Sequence, residues 1–170
     1  MTNALDFAGW FVQNNKNIKC AGLPDQVVLL KQLFFAQMIH LAMNKEPLFN
    51  ETLYALDQGP VVDVVRQAYK ADPSQFFSMK LPQFTKPQLK TLGMTHEIYG
   101  DAYGDEGATE LSELSHYFPC WKNNHKPSPA KRAERRQDIE ELKMPINDLV
   151  ADTAIIQRVI DGYNQARDLR

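Results

Sequence analysis

The stretch Leu23–Asn44, LPDQVVLLKQLFFAQMIHLAMN, decides how the rest of the chain is read. After Gln26 its only polar residues are Lys31, Gln32, Gln37, His40 and Asn44. At 100° per residue, Gln37, His40 and Asn44 fall in one narrow stripe, while Lys31 and Gln32 lie elsewhere on the wheel. The helix is therefore apolar around most of its circumference, which in a water-soluble chain means burial on several sides. Pro24 suits a first helical turn, where its missing N–H costs nothing, and Asp25 places a carboxylate at the positive end of the helix dipole. A membrane span is a poor reading, because Lys31 and Gln32 leave no uninterrupted apolar run of about 18 residues. The stretch reads as the central helix of a core, spanning about 24–44.

A chain of 170 residues suits one domain, 1–170, with a sizeable core. Hydrophobic residues at 44% and charged residues at 24% are ordinary globular values. A net charge of −2 with a pI near 6.1 argues against whole-surface nucleic-acid binding. Met1–Gln13 carries no Lys or Arg and has Asp6 among its apolar positions, so no signal-peptide pattern is present. Two cysteines, Cys20 and Cys120, are too few for a disulfide scaffold; reduced thiols in a cytoplasm are the expectation.

Ahead of the central helix, Asn3 or Thr2 caps a helix carrying Leu5, Ala8, Phe11 and Val12 at helical spacing. Beyond it, Pro47, Asn50 and Gly59 break the helical pattern, and Leu53, Tyr54 and Leu56 read as a short edge strand. Pro60 is expected to open a further helix, with Val61, Val64, Val65, Ala68 and Tyr69 forming its apolar face. Residues 74–84 read as a surface loop turning Phe76, Phe77 and Phe84 inward. Thr85-Lys86-Pro87-Gln88 has the form of a capping box opening a helix that runs to about Tyr99. Gly100–Gly107 reads as a turn, and Ala108–His116 as a short helix with Leu111 and Leu114 inward. From Lys126 to Arg136, five basic residues stand against Glu134 alone, and Pro127 and Pro129 make its start loop-like. After Pro145 a last helix carries Ile155, Ile156, Val159, Ile160 and Tyr163 on one stripe. The fold class is mainly α: a compact helical bundle around a buried central helix, with at most a small β element near 48–56. The C-terminal basic loop and helix, 123–170, pack on it.

Catalytic signals are weak. His116, Cys120 and His125 form the only His/Cys cluster, but paired half-sites of the usual zinc spacing are missing. Cys120 reads equally well as a small buried hydrophobe. A single glycine in Asp57-Gln58-Gly59-Pro60 is a poor phosphate loop, and Asp101, Asp105 and Glu106 lack the alternate-residue spacing of a calcium loop. The basic run has no interleaved aromatics and reads as a solvated surface.

Three segments, LLKQLFFAQMIHLAMNKEPLF (Leu29–Phe49), QGPVVDVVRQAYK (Gln58–Lys70) and LSELSHYFPCWK (Leu111–Lys122), occur in this order. Through them the sequence resembles the SocA-like antitoxin family, the Panacea domain found in phage-associated GepA-type proteins, over about residues 4–122. Departures from the family pattern are Leu56 where tryptophan is usual and Cys120 splitting the Pro-Trp pair. The resemblance implies binding rather than catalysis. The expected function is that of an antitoxin from a two-gene toxin–antitoxin module, neutralising its toxin by direct protein contact. The alternatives are an adaptor delivering a toxin to a Clp-type protease, as SocA itself does, and a metal-dependent enzyme built on His116, Cys120 and His125. Gln58, Gly59 and Pro60 match the first motif, and Ser112, Glu113, Ser115, His116 and Trp121 the second. With Lys131, Arg132 and Arg135 of the basic run, Gln58, Gly59 and these second-motif residues are the candidate partner-binding residues. No catalytic residue, cofactor or metal is expected; the partner is a toxin protein, with a Clp-type protease in the alternative, and neither a membrane nor a nucleic acid.

Overall fold

The fold is given by a computed structural model that describes residues 1–127 and 139–170. Helix α1 (Ala4–Asn14) starts at a reciprocal capping box: Asn3 Oδ1 accepts from the Asp6 amide at 3.1 Å, and the Asn3 amide donates to Asp6 Oδ2 at 2.9 Å. Helix α2 (Leu23–Asn44) has Pro24 in its first turn and ends at Lys45, whose φ of +61° is left-handed. Every residue of α2 from Gln26 to Ala42 is buried. By length and hydropathy α2 could cross a membrane, but its most apolar window is 94% buried inside the fold. It is the core helix.

Among the described residues, four helices make the broadest contacts with α2. They are α1, α5 (Lys86–Tyr99), α6 (Gly104–His116) and α9 (Thr153–Asp168). Phe35 stacks on Tyr99 of α5 with centroids 4.1 Å apart, and Phe34 meets Phe118 edge-on at 5.2 Å. Ile156 and Ile160 bring α9 onto the core. The buried apolar residues, from Ala4 to Ile160, form one cluster. The capping box foreseen at Thr85 and Gln88 is present, with Gln88 N donating to Thr85 Oγ1 at 3.3 Å.

The expected helix start at Pro60 is corrected. Residues Gly59–Val62 form strand β2, paired antiparallel with β1 (Leu53–Leu56) through the two-residue turn Asp57-Gln58. Helix α3 begins only at Asp63 and runs to Ala71. Val61 therefore belongs to the strand, and Val64, expected inward, is 43% exposed. Strand β1 is also not an edge: Lys143–Met144 forms β3 on its other side, giving the order β2-β1-β3. The small β element expected near 48–56 is thus present as β1, and the sheet extends beyond it to Val62 and to 143–144.

Smaller corrections follow from packing. The loop after α3 contains a one-turn helix, α4 (Gln75–Ser78), which buries Phe76 but leaves Phe77 exposed. Helix α6 starts at Gly104, inside the expected turn, and Leu114 faces outward. After α7 (Pro119–Lys122), a 3-10 turn (Glu140–Leu142) leads into β3. The region after Pro145 holds α8 (Ile146–Ala151) before α9.

Candidate partner-binding site

The β1–β2 turn forces one residue into a conformation suited to glycine. Gly59 has φ +117°, and a Cβ there would lie 2.4 Å from Ser115 Oγ and 2.7 Å from Lys31 Cε. The turn therefore lies directly on α6 and on the one charged residue of the mid-section of α2. Ser115 is buried, and its hydroxyl donates to the Ser112 carbonyl at 2.7 Å. Lys31 is also buried, and its ammonium donates to the Pro60 carbonyl oxygen at 2.9 Å.

Helix α7 closes the same region from the other side. The Trp121 indole N–H donates to the Leu56 carbonyl at 2.8 Å, which ties α7 to the root of the turn. His116 and His125 stack on the indole with centroids 4.0 and 4.4 Å away and near-parallel planes. Those distances leave room for one imidazole per face, so Trp121 is the middle of a three-ring stack. His125 Nδ1 lies 3.0 Å from the Ala55 carbonyl oxygen, an acceptor, and its Nε2 is 3.5 Å from Asp57 Oδ1. The two motifs, separated by about half the domain in sequence, become one structural unit.

Electrostatics here are set by burial. Desolvation pushes the Lys31 ammonium from 10.5 down to about 7. Burial, then the nearby Lys31 charge, holds His116 below the usual imidazole value; the Asp57 backbone carbonyl acts in the opposite sense. His116 therefore favours its neutral form more than a free imidazole does.

Two adjoining cavities open beside the turn and share Leu23, Val27, Asp57 and Gln58. The larger, about 520 Å³, runs between the start of α2 and α6 and is lined by Asp105, Thr109, Ser112, Glu113 and His116. The smaller, about 230 Å³, reaches inward to Lys31 and Arg66.

The candidate residues separate on this surface. Gln58 and Glu113 are exposed on the cleft, and Ser112 and His116 line it half-buried. Gly59 and Ser115 are buried beneath it and shape the turn. Trp121 is half-buried and supports the site from behind. Lys131, Arg132 and Arg135 lie outside the described residues.

Sequence reasoning missed Lys31, Leu23 and Thr109 as site residues. Lys31 was visible as a lone charge in an apolar run, but nothing local tied it to Gly59. In the sequence, Asp57 stands out only within a weak phosphate-loop pattern and Asp105 only within a weak calcium-loop pattern.

The alternative metal cluster does not assemble. His116 and His125 are held apart by the indole, and Cys120 is buried, with its backbone N–H donating to Asp152 Oδ2. Burial, reinforced by Asp152, raises the Cys120 thiol far above the usual range. Among the described residues, no three His, Cys, Asp or Glu side chains are placed to hold a metal ion.

No curated protein and no solved structure matches the sequence significantly. The family model described as antitoxin SocA-like, Panacea domain, matches residues 29–122, more than half of the chain. That span runs from the interior of α2 to the end of α7 and contains both motifs that meet at the turn. The chain belongs to the SocA-like antitoxin family, with residues 29–122 forming its Panacea domain.

Proposed function

We propose that this protein is the antitoxin of a two-gene toxin–antitoxin module and that it neutralises its toxin by direct binding at the cleft beside the Asp57-Gln58 turn. The observation that carries this reading is the convergence of both family motifs on one concave surface, with exposed Gln58 and Glu113 at its rim. The structural members of the set, Gly59, Ser115 and Trp121, hold that surface in place without taking part in chemistry. The role is binding rather than catalysis, and the site of action is the cytoplasm.

The test is co-expression with the neighbouring reading frame, with growth and pull-down as readouts. Rescue of growth together with a stable complex supports direct neutralisation. Gln58→Arg and Ser112→Arg put bulk into the cleft and should weaken the complex at least about tenfold, or about 1.4 kcal/mol, with unfolding midpoints unchanged. A non-toxic neighbour with no complex would sink the proposal. Rescue that disappears in a strain lacking the Clp protease would replace it with the adaptor reading.

A further inference from the structure

We propose that the small cavity under the Gln58 turn is a carboxylate-binding site in which the Lys31 ammonium supplies the buried charge, and that it receives an Asp or Glu side chain of the bound protein. This deepens the reading above and rests on it for the identity of the partner.

The first support is a charge imbalance. Lys31, Arg66 and Lys70 line the cavity, whereas among the described residues Asp57 is the only carboxylate on its wall. Arg66 is fixed in place by Asp63, whose Oδ1 lies 2.8 Å from Nη2 and 2.9 Å from Nε. Lys31 has no such partner: among the described residues no carboxylate comes within ion-pair distance of it. Among the described residues its one hydrogen bond goes to a neutral carbonyl, although an ammonium has three donors. Buried charges are normally paired, because removing an ion from water costs several kcal/mol. Lys31 is 1% exposed and lacks that compensation within the fold.

The second support is size and lining. At about 230 Å³ the cavity is smaller than the usual space for a drug-sized ligand or cofactor. It matches a side chain. Leu30, Leu56 and Val61 offer an apolar wall for the methylene stem, and Lys31 and Arg66 are the buried cations of the lining. Asp57 on the wall disfavours a doubly charged phosphate more than a singly charged carboxylate.

The experiment uses the full chain with lysines labelled at the ε-carbon and follows their NMR signals at pH 6.5. Sodium acetate is titrated in, with sodium chloride holding ionic strength constant, and inorganic phosphate is run in parallel. Lys31→Met identifies the Lys31 signal by its loss. The expected result is a saturable shift of that signal with acetate. Chloride shifting it equally, or phosphate acting where acetate does not, would overturn the assignment. A folded Lys31→Met protein should also bind the toxin at least tenfold more weakly, and undiminished binding would overturn the claim about the partner's side chain. If Lys31→Met does not fold, Lys31→Gln, whose amide can still donate to the Pro60 carbonyl, removes the same signal and the same charge and gives both readouts. If the wild-type protein binds no toxin, the antitoxin reading fails, while the acetate titration still decides the site.

Discussion

Lys31 imposes a pH dependence that its own substitution isolates. Its folded value, about 7, lies below the ordinary 10.5, so between those limits the unfolded chain holds more protons than the folded one. Stability contributed through Lys31 should therefore rise with pH above 7, by about 1.4 kcal/mol per pH unit. Below pH 7 the full cost of the buried charge is present. Lys31→Met should abolish this rise and be about 1–4 kcal/mol more stable than wild type at pH 7. Urea unfolding of both proteins from pH 7 to 9 checks it, and equal slopes would refute it. Gly59 gives a second expectation at this scale. Gly59→Ala would combine a left-handed φ with a Cβ inside contact distance of Ser115 and Lys31, and should cost about 2–4 kcal/mol by urea unfolding. Both residues stand out in the sequence, one as a charge in an apolar run and the other as a glycine beside a proline. Their contact does not, since it joins positions 28 residues apart.

Apart from Asn44, which bonds back to His40, the polar residues within α2 each fasten a different part of the fold. Gln26 Nε2 donates to the Arg66 carbonyl and Lys31 to Pro60, while Gln32 Nε2 donates to the Tyr99 carbonyl. Gln37 accepts from the Leu48 and Phe49 amides and donates to the Phe49 carbonyl, and His40 bonds Thr91. Gln37→Leu should cost about 2 kcal/mol or more, because it leaves buried backbone groups unpaired. Faster hydrogen exchange at Leu48 and Phe49 would locate the loss there; unchanged protection would contradict it.

The helices were legible because their ends announce themselves, as at Asn3 and at Thr85 with Gln88. Strand β2 was not. Val61, Val64, Val65, Ala68 and Tyr69 mimic a helical face, and the extended start of that run is imposed by pairing with β1. The sheet's third strand comes from residues far along the chain, which no local pattern reveals.

At the scale of the molecule, the family segment 29–122 does not contain its own core. Phe7, Ala8 and Phe11 of α1 and Ile156 and Ile160 of α9 are buried in the same cluster, and β3 covers one side of β1. Residues 29–122 expressed alone should therefore show no cooperative urea transition by circular dichroism, whereas the full chain should unfold in one step. A sharp transition in the fragment would show that the flanking helices are dispensable. This interdependence also limits what sequence reading could deliver for the site: the motifs were recognisable singly, but their meeting point required the whole fold.

The three-ring stack has a consequence for how the protein can be observed. Trp121 is one of only two tryptophans, and its indole is bonded to the carbonyl from which the turn departs. Any movement of Asp57-Gln58 on docking changes the polarity around a chromophore already held between two imidazoles. With Trp10→Phe removing the second emitter, the molecule becomes its own optical gauge, reporting occupancy of the cleft as a change in emission without an attached dye.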